Sequence, residues 1–375
     1  MKFKVSSTAL LTRLQTVGRV IVSKSTLPIL STFLLEWDEE RLYITATDGE
    51  IRLKSWLPLE ESDGSGSICI DMRILVDGFK GLGEQTVKFC INPNNMETTV
   101  NYQTGLFRFV GQEGERFPEL RGIVTDGYPL EIEASRLLHK VNSTIFATSP
   151  DEFRPVMTGI YFELADDTLN TVASDGHKLI LVSEKHETDE QKRSFIMTRK
   201  TGQLLKGLLG DTSEPVKLEF NKEKLRITME GYELNAVLLT GIYPNFRAVI
   251  PKDNHIQVHL DRRSFLSVIR RMSCFSNLSS NLIKLVFEPG RIQVTAQDID
   301  FSIAGKEEIV TDYAGETLAI GFRASYLIEL LNNMETPEVV LELSTPSRAA
   351  LLLPVTDGSE DEKIIQLLMP MAISD

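Results

Sequence analysis

Leu169-Asn-Thr-Val-Ala-Ser-Asp175 reads as a strand that runs into a turn, because Gly176 and His177 follow at once. The pattern recurs. Leu42-Tyr-Ile-Thr-Ala-Thr-Asp48 precedes Gly49 and Glu50, and Ile292-Gln-Val-Thr-Ala-Gln-Asp298 precedes Ile299 and Asp300. Each copy has an aliphatic residue six places before the aspartate and an alanine two places before it. The aspartates stand 127 and 123 residues apart. Two further markers keep the same step. Arg73, Arg199 and Arg323 stand at or near the start of helix-like segments at 71–82, 198–209 and 323–332, and Pro118, Pro244 and Pro370 near the unit ends are evenly spaced by 126. Three markers in constant order define a repeat of about 125 residues, and three such units fill the 375-residue chain.

Each unit opens with an amphipathic helix, expected to bury Leu10, Leu14 and Val17, then Leu138, Val141 and Ile145, then Phe265, Ile269 and Met272. Two strands follow, then the helix after the repeated arginine, then a hairpin. The clearest hairpin is 216–220 with 225–229 around Asn221-Lys-Glu. Two helices and about eight strands per unit make an α+β arrangement with antiparallel sheets. Turn-forming residues near 125–128 and 251–254 divide the chain into units 1–126, 127–252 and 253–375.

Composition narrows the classes. The chain is 42% hydrophobic and 25% charged, an ordinary globular balance. No apolar run approaches the ~18 residues of a membrane-spanning helix, and the start lacks a secretory leader pattern. Three cysteines without a CxxC pair argue against a disulfide framework and for a reducing cytoplasm. The formal charge of −13 excludes a protein that coats nucleic acid with its whole surface, but it leaves room for a local basic face. Residues 6–33, 134–150, 191–210 and 262–287 hold no Asp or Glu, although the chain has 53 of them, and they hold 15 Lys or Arg. The acids gather in strand turns. Arg13, Arg262, Arg263 and Arg271 belong to this basic set beside the residues named below. A solvated face is the ordinary reading of one basic helix. Repeated helices stripped of acids in an acidic chain favour an anion-binding surface, one that reads phosphates without reading bases.

Catalytic chemistry has little to stand on. Ser174, Asp175 and His177 lie within four positions, but adjacency in a turn is not a triad, and Asp175 is a repeat marker. No GxSxG, HExxH, Walker A or GxGxxG pattern occurs, and His255 and His259 sit on an alternating, strand-like stretch rather than a helix. No metal or cofactor is expected. A scaffold of three interaction domains with acidic protein partners remains the alternative, and a hydrolase using the Ser174–His177 turn is the third reading.

Met1-Lys-Phe3, Thr26-Leu-Pro-Ile-Leu30, Ala173-Ser-Asp-Gly-His177, Tyr243-Pro-Asn-Phe246, Gly321-Phe322 and Leu368-Met-Pro-Met371 together closely resemble the bacterial DNA polymerase III beta subunit, the sliding-clamp family. The resemblance runs the length of the chain. It implies three DNA-clamp domains per chain, helices inside and sheets outside, in a ring-shaped head-to-tail homodimer. Such a ring encircles duplex DNA without sequence preference and tethers the replicative polymerase alpha subunit, the clamp loader, other polymerases and repair proteins. It implies no catalysis, no cofactor and no membrane. DNA-facing residues would be Lys24, Arg73, Lys80, Arg136, Lys140, Arg199, Lys200, Lys206, Arg270 and Arg323. A pocket for partner peptides would be lined by Met157, Ser174, Gly176, His177, Lys178, Leu179, Pro244, Phe246, Val249, Leu367, Leu368, Met369, Pro370 and Met371. Phe107 and Phe109 of one chain would meet Cys274 and Phe275 of the other.

Overall fold

The computed structural model describes residues 1–22, 27–119, 124, 126–187, 191–210, 214–355 and 361–373. Lys24, Thr26, Ser374 and Asp375 lie outside the described residues, as do 188–190 and 356–360.

The repeated aspartate is a turn cap. Asp48 Oδ1 accepts the amides of Glu50 and Ile51, both at 2.8 Å. Asp175 Oδ1 accepts those of His177 at 2.8 Å and Lys178 at 2.9 Å. Asp298 Oδ1 accepts those of Asp300 at 3.0 Å and Phe301 at 3.4 Å. A chain reversal frees two amides, and a short carboxylate on the preceding residue satisfies both.

Six α-helices occur among the described residues, two to each repeat: α1 Ser7–Val17, α2 Met72–Phe79, α3 Ala134–Thr144, α4 Arg199–Leu209, α5 Arg262–Ser273 and α6 Ala324–Asn332. Ser6, Asp71 and Asp261 cap α1, α2 and α5 by accepting the amides of Ala9, Arg73 and Ser264. The apolar stripes of α1 and α5 are buried as their spacing requires. In α3 the register differs from expectation by one residue. Leu137 is buried and Leu138 only half-buried, because the stripe runs 134, 137, 141 in steps of three and four.

The chain forms two compact units, Met1–Leu138 with Gln203–Leu238, and His139–Gly202 with Leu239–Asp375; it passes between them within α3 and α4. The first unit has a five-stranded sheet in the order Glu61–Asp63, Lys2–Ser6, Thr86–Ile91, Glu97–Tyr102, Gly105–Val110. Its nine-stranded sheet runs Gln112–Glu113, Gly66–Asp71, Thr32–Trp37, Arg41–Thr47, Ile51–Pro58, Tyr232–Val237, Lys224–Met229, Pro215–Phe220, Tyr128–Glu133. The second unit has an eight-stranded sheet in the order Arg193–Thr198, Gly159–Ala165, Thr168–Ser174, Lys178–Lys185, Glu362–Leu368, Ala350–Pro354, Glu338–Leu343, Ile256–Asp261. Its four-stranded sheet runs Ile303–Val310, Arg291–Asp298, Leu282–Glu288, Leu318–Arg323. All strand pairs are antiparallel, including the expected hairpin Pro215–Phe220 with Lys224–Met229.

Each large sheet joins strands of two successive repeats. The strand after the capped turn of one repeat pairs with the last strand of the next: Ile51–Pro58 with Tyr232–Val237, Leu53 opposite Leu234, and Lys178–Lys185 with Glu362–Leu368, Leu179 opposite Leu367. The cores lie under the helices. Phe89 stacks between Phe3 and Phe79 in the first unit. In the second, Phe265 and Ile269 of α5 and Leu327 and Leu331 of α6 share one apolar cluster with Val182 and Leu368. Each such side chain contributes about 1.5–3 kcal/mol by leaving water.

Candidate nucleic-acid interface and peptide pocket

The helices carry the expected cations in unequal states, and Arg73, Lys80 and Arg323 lie outside the acid-free windows. Arg73 and Lys80 at the two ends of α2, Arg136 on α3, and Arg199, Lys200 and Lys206 on α4 are exposed. Arg270 on α5 is exposed and donates to Asn332 Oδ1 of α6 at 2.5 Å. Arg323 is half-buried, with its guanidinium 5.3 Å from the centre of the Tyr326 ring. Exposed guanidinium and ammonium groups without a base-reading scaffold can hold phosphate oxygens but not fix a register.

Lys140 departs from expectation. It is 0% exposed, and its Nζ lies 2.7 Å from Glu184 and 3.9 Å from Glu362. An interior cation needs an interior anion, so this charge is compensated inside the second unit and is not offered to a phosphate. Three other members of the basic set are also engaged internally. Arg13 lies over the Tyr232 ring, Arg262 donates to the carbonyls of Thr336 and Leu331, and Arg271 pairs with Glu307. Sequence spacing placed all of these on basic helices but could not see which neighbour each would meet.

The pocket residues converge in the second unit. The register of the central strand pair puts Leu179 against Leu367, and the Met369 amide donates to the His177 carbonyl at 2.8 Å. The chain after that strand is thereby held beside the 176–177 turn, and the Met371 amide, donating to Gly321 O at 2.8 Å, fixes its end. Leu179, Leu367 and Phe246 are buried in one apolar cluster with Tyr161 and Tyr243, whose rings stack 4.7 Å apart and nearly parallel. Burial pushes the Tyr243 hydroxyl well above its usual range, so it stays neutral. Met157 and Leu368 are buried, and Pro370 and Met371 half-buried. Pro244 is exposed, Val249 is 53% exposed and Met369 39%. An apolar floor with a raised, adaptable rim suits capture of a short apolar peptide.

The turn between these strands is braced by groups that sequence reading missed. Arg154 donates to the Asp175 carbonyl at 3.2 Å and to the Asp151 carboxylate at 2.8 Å. Gly176 has φ 93°, a left-handed conformation that favours glycine, and Arg154 Nη1 lies close by. His177 stacks on Tyr326 of α6, with ring centres 5.8 Å apart. Lys178 is buried, and desolvation pulls its ammonium down; hydrogen bonds to Asp175 and Glu329 outweigh this and hold it above its usual range.

Ser174 and His177 do not form a catalytic pair here. The Ser174 hydroxyl donates to the Lys178 carbonyl at 2.8 Å, and Asp175 is occupied by the turn amides and by Lys178 Nζ. Among the described residues no group of His, Cys, Asp and Glu has metal-ligand geometry. No helix among them is long and apolar enough to cross a membrane.

The proposed interface residues lie in separate units. Phe107 and Phe109 are half-buried on the edge strand Gly105–Val110, and the Phe107 ring also contacts Tyr102 at 4.9 Å and Phe79 at 6.2 Å. Cys274 is exposed just after α5, and Phe275 packs against the core of the second unit. The edge strand Ile303–Val310 escaped the sequence reading, because nothing in its composition marks it as unpaired.

The profile of the DNA polymerase III beta subunit matches through all three of its parts: N-terminal domain at residues 1–121, central domain at 131–245 and C-terminal domain at 247–372. The beta sliding clamp of Pseudomonas putida is 30% identical over 377 residues, covering 100% of both chains. That of Haemophilus influenzae is 27% identical over 374 residues, again covering 100% of both. Among solved structures, the DNA polymerase sliding clamp of Pseudomonas aeruginosa superposes with TM-score 0.93 at 26% identity and full coverage of both chains. A griselimycin-bound sliding clamp from the same organism gives TM-score 0.92, also at 26% identity and full coverage of both.

Proposed function

Because this chain belongs to the DNA polymerase III beta subunit family, a family of non-catalytic processivity factors with three clamp domains, we propose how its own residues perform that role. Two copies close head to tail into a ring around duplex DNA. On this reading the domains run 1–126, 127–252 and 253–375.

One observation carries the ring. The strand after the capped turn pairs with the last strand of the next repeat at both junctions inside the chain. The third repeat has such a strand, Ile303–Val310, at the edge of its sheet; the first repeat's counterpart of the last strand is Gly105–Val110, also at an edge and followed only by the two-residue strand Gln112–Glu113. A second copy offers each edge its missing partner, and the two contacts are related by a two-fold axis. Unpaired apolar edges are a liability that pairing removes: Leu106 and Val110 are exposed on one strand, Ile303 and Val310 on the other. Phe107, Phe109, Cys274 and Phe275 belong to this interface.

Arg73, Lys80, Arg136, Arg199, Lys200, Lys206, Arg270 and Arg323 are the phosphate-facing set, with Lys140 removed. Contacts of this kind are salt-sensitive and blind to sequence, so the ring slides. Residence on DNA then depends on closure of the ring rather than on contact strength. The pocket of Leu179, Phe246, Leu367 and Met369 receives short motifs from the polymerase alpha subunit, the clamp loader, other polymerases and repair proteins. The sliding-clamp structure bound to griselimycin supports a ligand site in this fold. Tethering raises the local concentration of a polymerase at the primer end, and no chemistry by the clamp is needed. The working compartment is the cytoplasm, where chromosome and polymerase meet. The test is retention on circular against linearised DNA.

A further inference from the structure

The opening strands of the first and third repeats differ in their neighbours. Lys2–Ser6 lies between Thr86–Ile91 and the short strand Glu61–Asp63, with Lys2 opposite Asp63 and Lys4 opposite Glu61. That short strand belongs to the connector 59–65, between Ile51–Pro58 and Gly66–Asp71. The third repeat has a connector of equal length, 311–317, between Ile303–Val310 and Leu318–Arg323, and it forms no strand. Its opening strand, Ile256–Asp261, pairs only with Glu338–Leu343 among the described residues and ends its sheet.

Tyr313 accounts for the difference. It holds the place in its connector that Glu61 holds in the first, yet it is buried, its ring edge-on to Phe287 at 6.0 Å. Its hydroxyl donates to the Glu316 carbonyl at 2.6 Å, and its own carbonyl accepts the Gly290 amide at 2.7 Å. The connector is thereby pinned to the turn at Gly290. Between it and the opening strand lies a cleft of about 560 Å³, lined by His255, Ile256 and Gln257 on one side and by 312–318 on the other. His255, Gln257, Asp312, Glu316 and Thr317 are exposed, so the cleft is open to solvent. Its lining includes the carboxylates of Asp312 and Glu316 and no Lys or Arg.

An open strand edge beside a groove captures an extended chain through main-chain hydrogen bonds, while side chains along the groove set its preference. The first repeat fills the matching edge with a strand of complementary charge, Glu61 against Lys4. In the third repeat the acids stand on the connector, so the complementary strand is cationic. We propose that the edge of Ile256–Asp261 accepts an extended, Lys- or Arg-bearing segment of a partner protein, paired as Glu61–Asp63 pairs with Lys2–Ser6, with its cations beside Asp312 and Glu316. The site uses neither the edges assigned to the ring nor the peptide pocket, and it stands apart from the clamp reading.

The test uses the full-length protein and a fluorescent hexapeptide of alternating Lys and Val, followed by anisotropy, with hydrogen exchange to locate it. Exchange slows at the amides of 256–261 that do not pair with Glu338–Leu343. The same peptide with every internal peptide nitrogen methylated binds at least about tenfold more weakly, because it cannot donate to the edge. Asp312→Asn with Glu316→Gln, both at exposed positions, lowers affinity about threefold or more. Exchange that slows at 367–371 instead, equal binding of the methylated peptide, or undiminished affinity in the double variant would overturn the proposal.

Discussion

Lys178 Nζ lies 2.9 Å from Glu329 Oε2 and 2.9 Å from Asp175 Oδ2. One buried ammonium thus ties the capped turn of the second repeat to α6 of the third, directly behind the turn that shapes the peptide pocket. Its ring neighbour Tyr326 lies 4.5 Å away and also carries His177 and Arg323 on its faces. The pocket is a consequence of how two repeats are joined.

Glu329→Gln leaves the Lys178 charge with Asp175 alone. Because Asp175 remains, the cost falls below that of a fully orphaned buried charge, at about 1–3 kcal/mol. Urea unfolding followed by circular dichroism checks this. An unchanged midpoint contradicts the bracing role.

Val249 stands at the exposed rim of the pocket, so a charge placed there meets water in the free protein and an apolar peptide in the complex. Val249→Asp lowers affinity for a polymerase-derived clamp-binding peptide by about tenfold or more, with little change in thermal midpoint. Fluorescence anisotropy with a labelled peptide measures it. Undiminished binding removes Val249 from the site.

The dimer is best tested away from Phe107, whose ring also packs within its own unit. Leu106 and Val310 are 52% and 90% exposed on the two edge strands. Leu106→Glu with Val310→Glu places carboxylates at both edges and yields folded monomers by sedimentation velocity. A persistent dimer at low micromolar concentration rejects pairing through these edges.

Much of this was legible in the chain. The repeated aspartate, the helix pairs and the hairpin of 216–220 with 225–229 follow from period and alternation, because local turn chemistry and burial write them directly into residue type. What stayed hidden depends on which neighbour a side chain meets. Lys140 and Lys206 look alike in sequence; one is enclosed against Glu184 and the other faces solvent. Glu329 is more than 150 residues from Lys178, so no local pattern announces their pairing. The edge status of Ile303–Val310 is likewise a property of topology, set by which strand lies next to it rather than by its own residues.

His139 gives a pH signature. The hydrogen bond that His139 Nε2 donates to Glu362 holds its imidazole above the usual value near 6.5, against the opposing pull of burial. A group raised on folding stabilises fully below its unfolded pKa and loses that contribution as pH rises through the folded pKa. The stability difference between the wild type and His139→Gln is therefore largest near pH 5.5 and shrinks by about pH 8.5. Urea midpoints at the two pH values decide it; a difference that grows with pH has the wrong sign for this pair.

Retention on DNA tests the central claim most directly. Labelled protein is loaded by the clamp loader onto a nicked circular plasmid, separated from free protein by gel filtration in moderate salt, and then challenged by a single double-strand cut. The ring predicts stable co-elution with the circle and release within minutes of linearisation, whereas equal retention on circular and linear DNA contradicts encirclement.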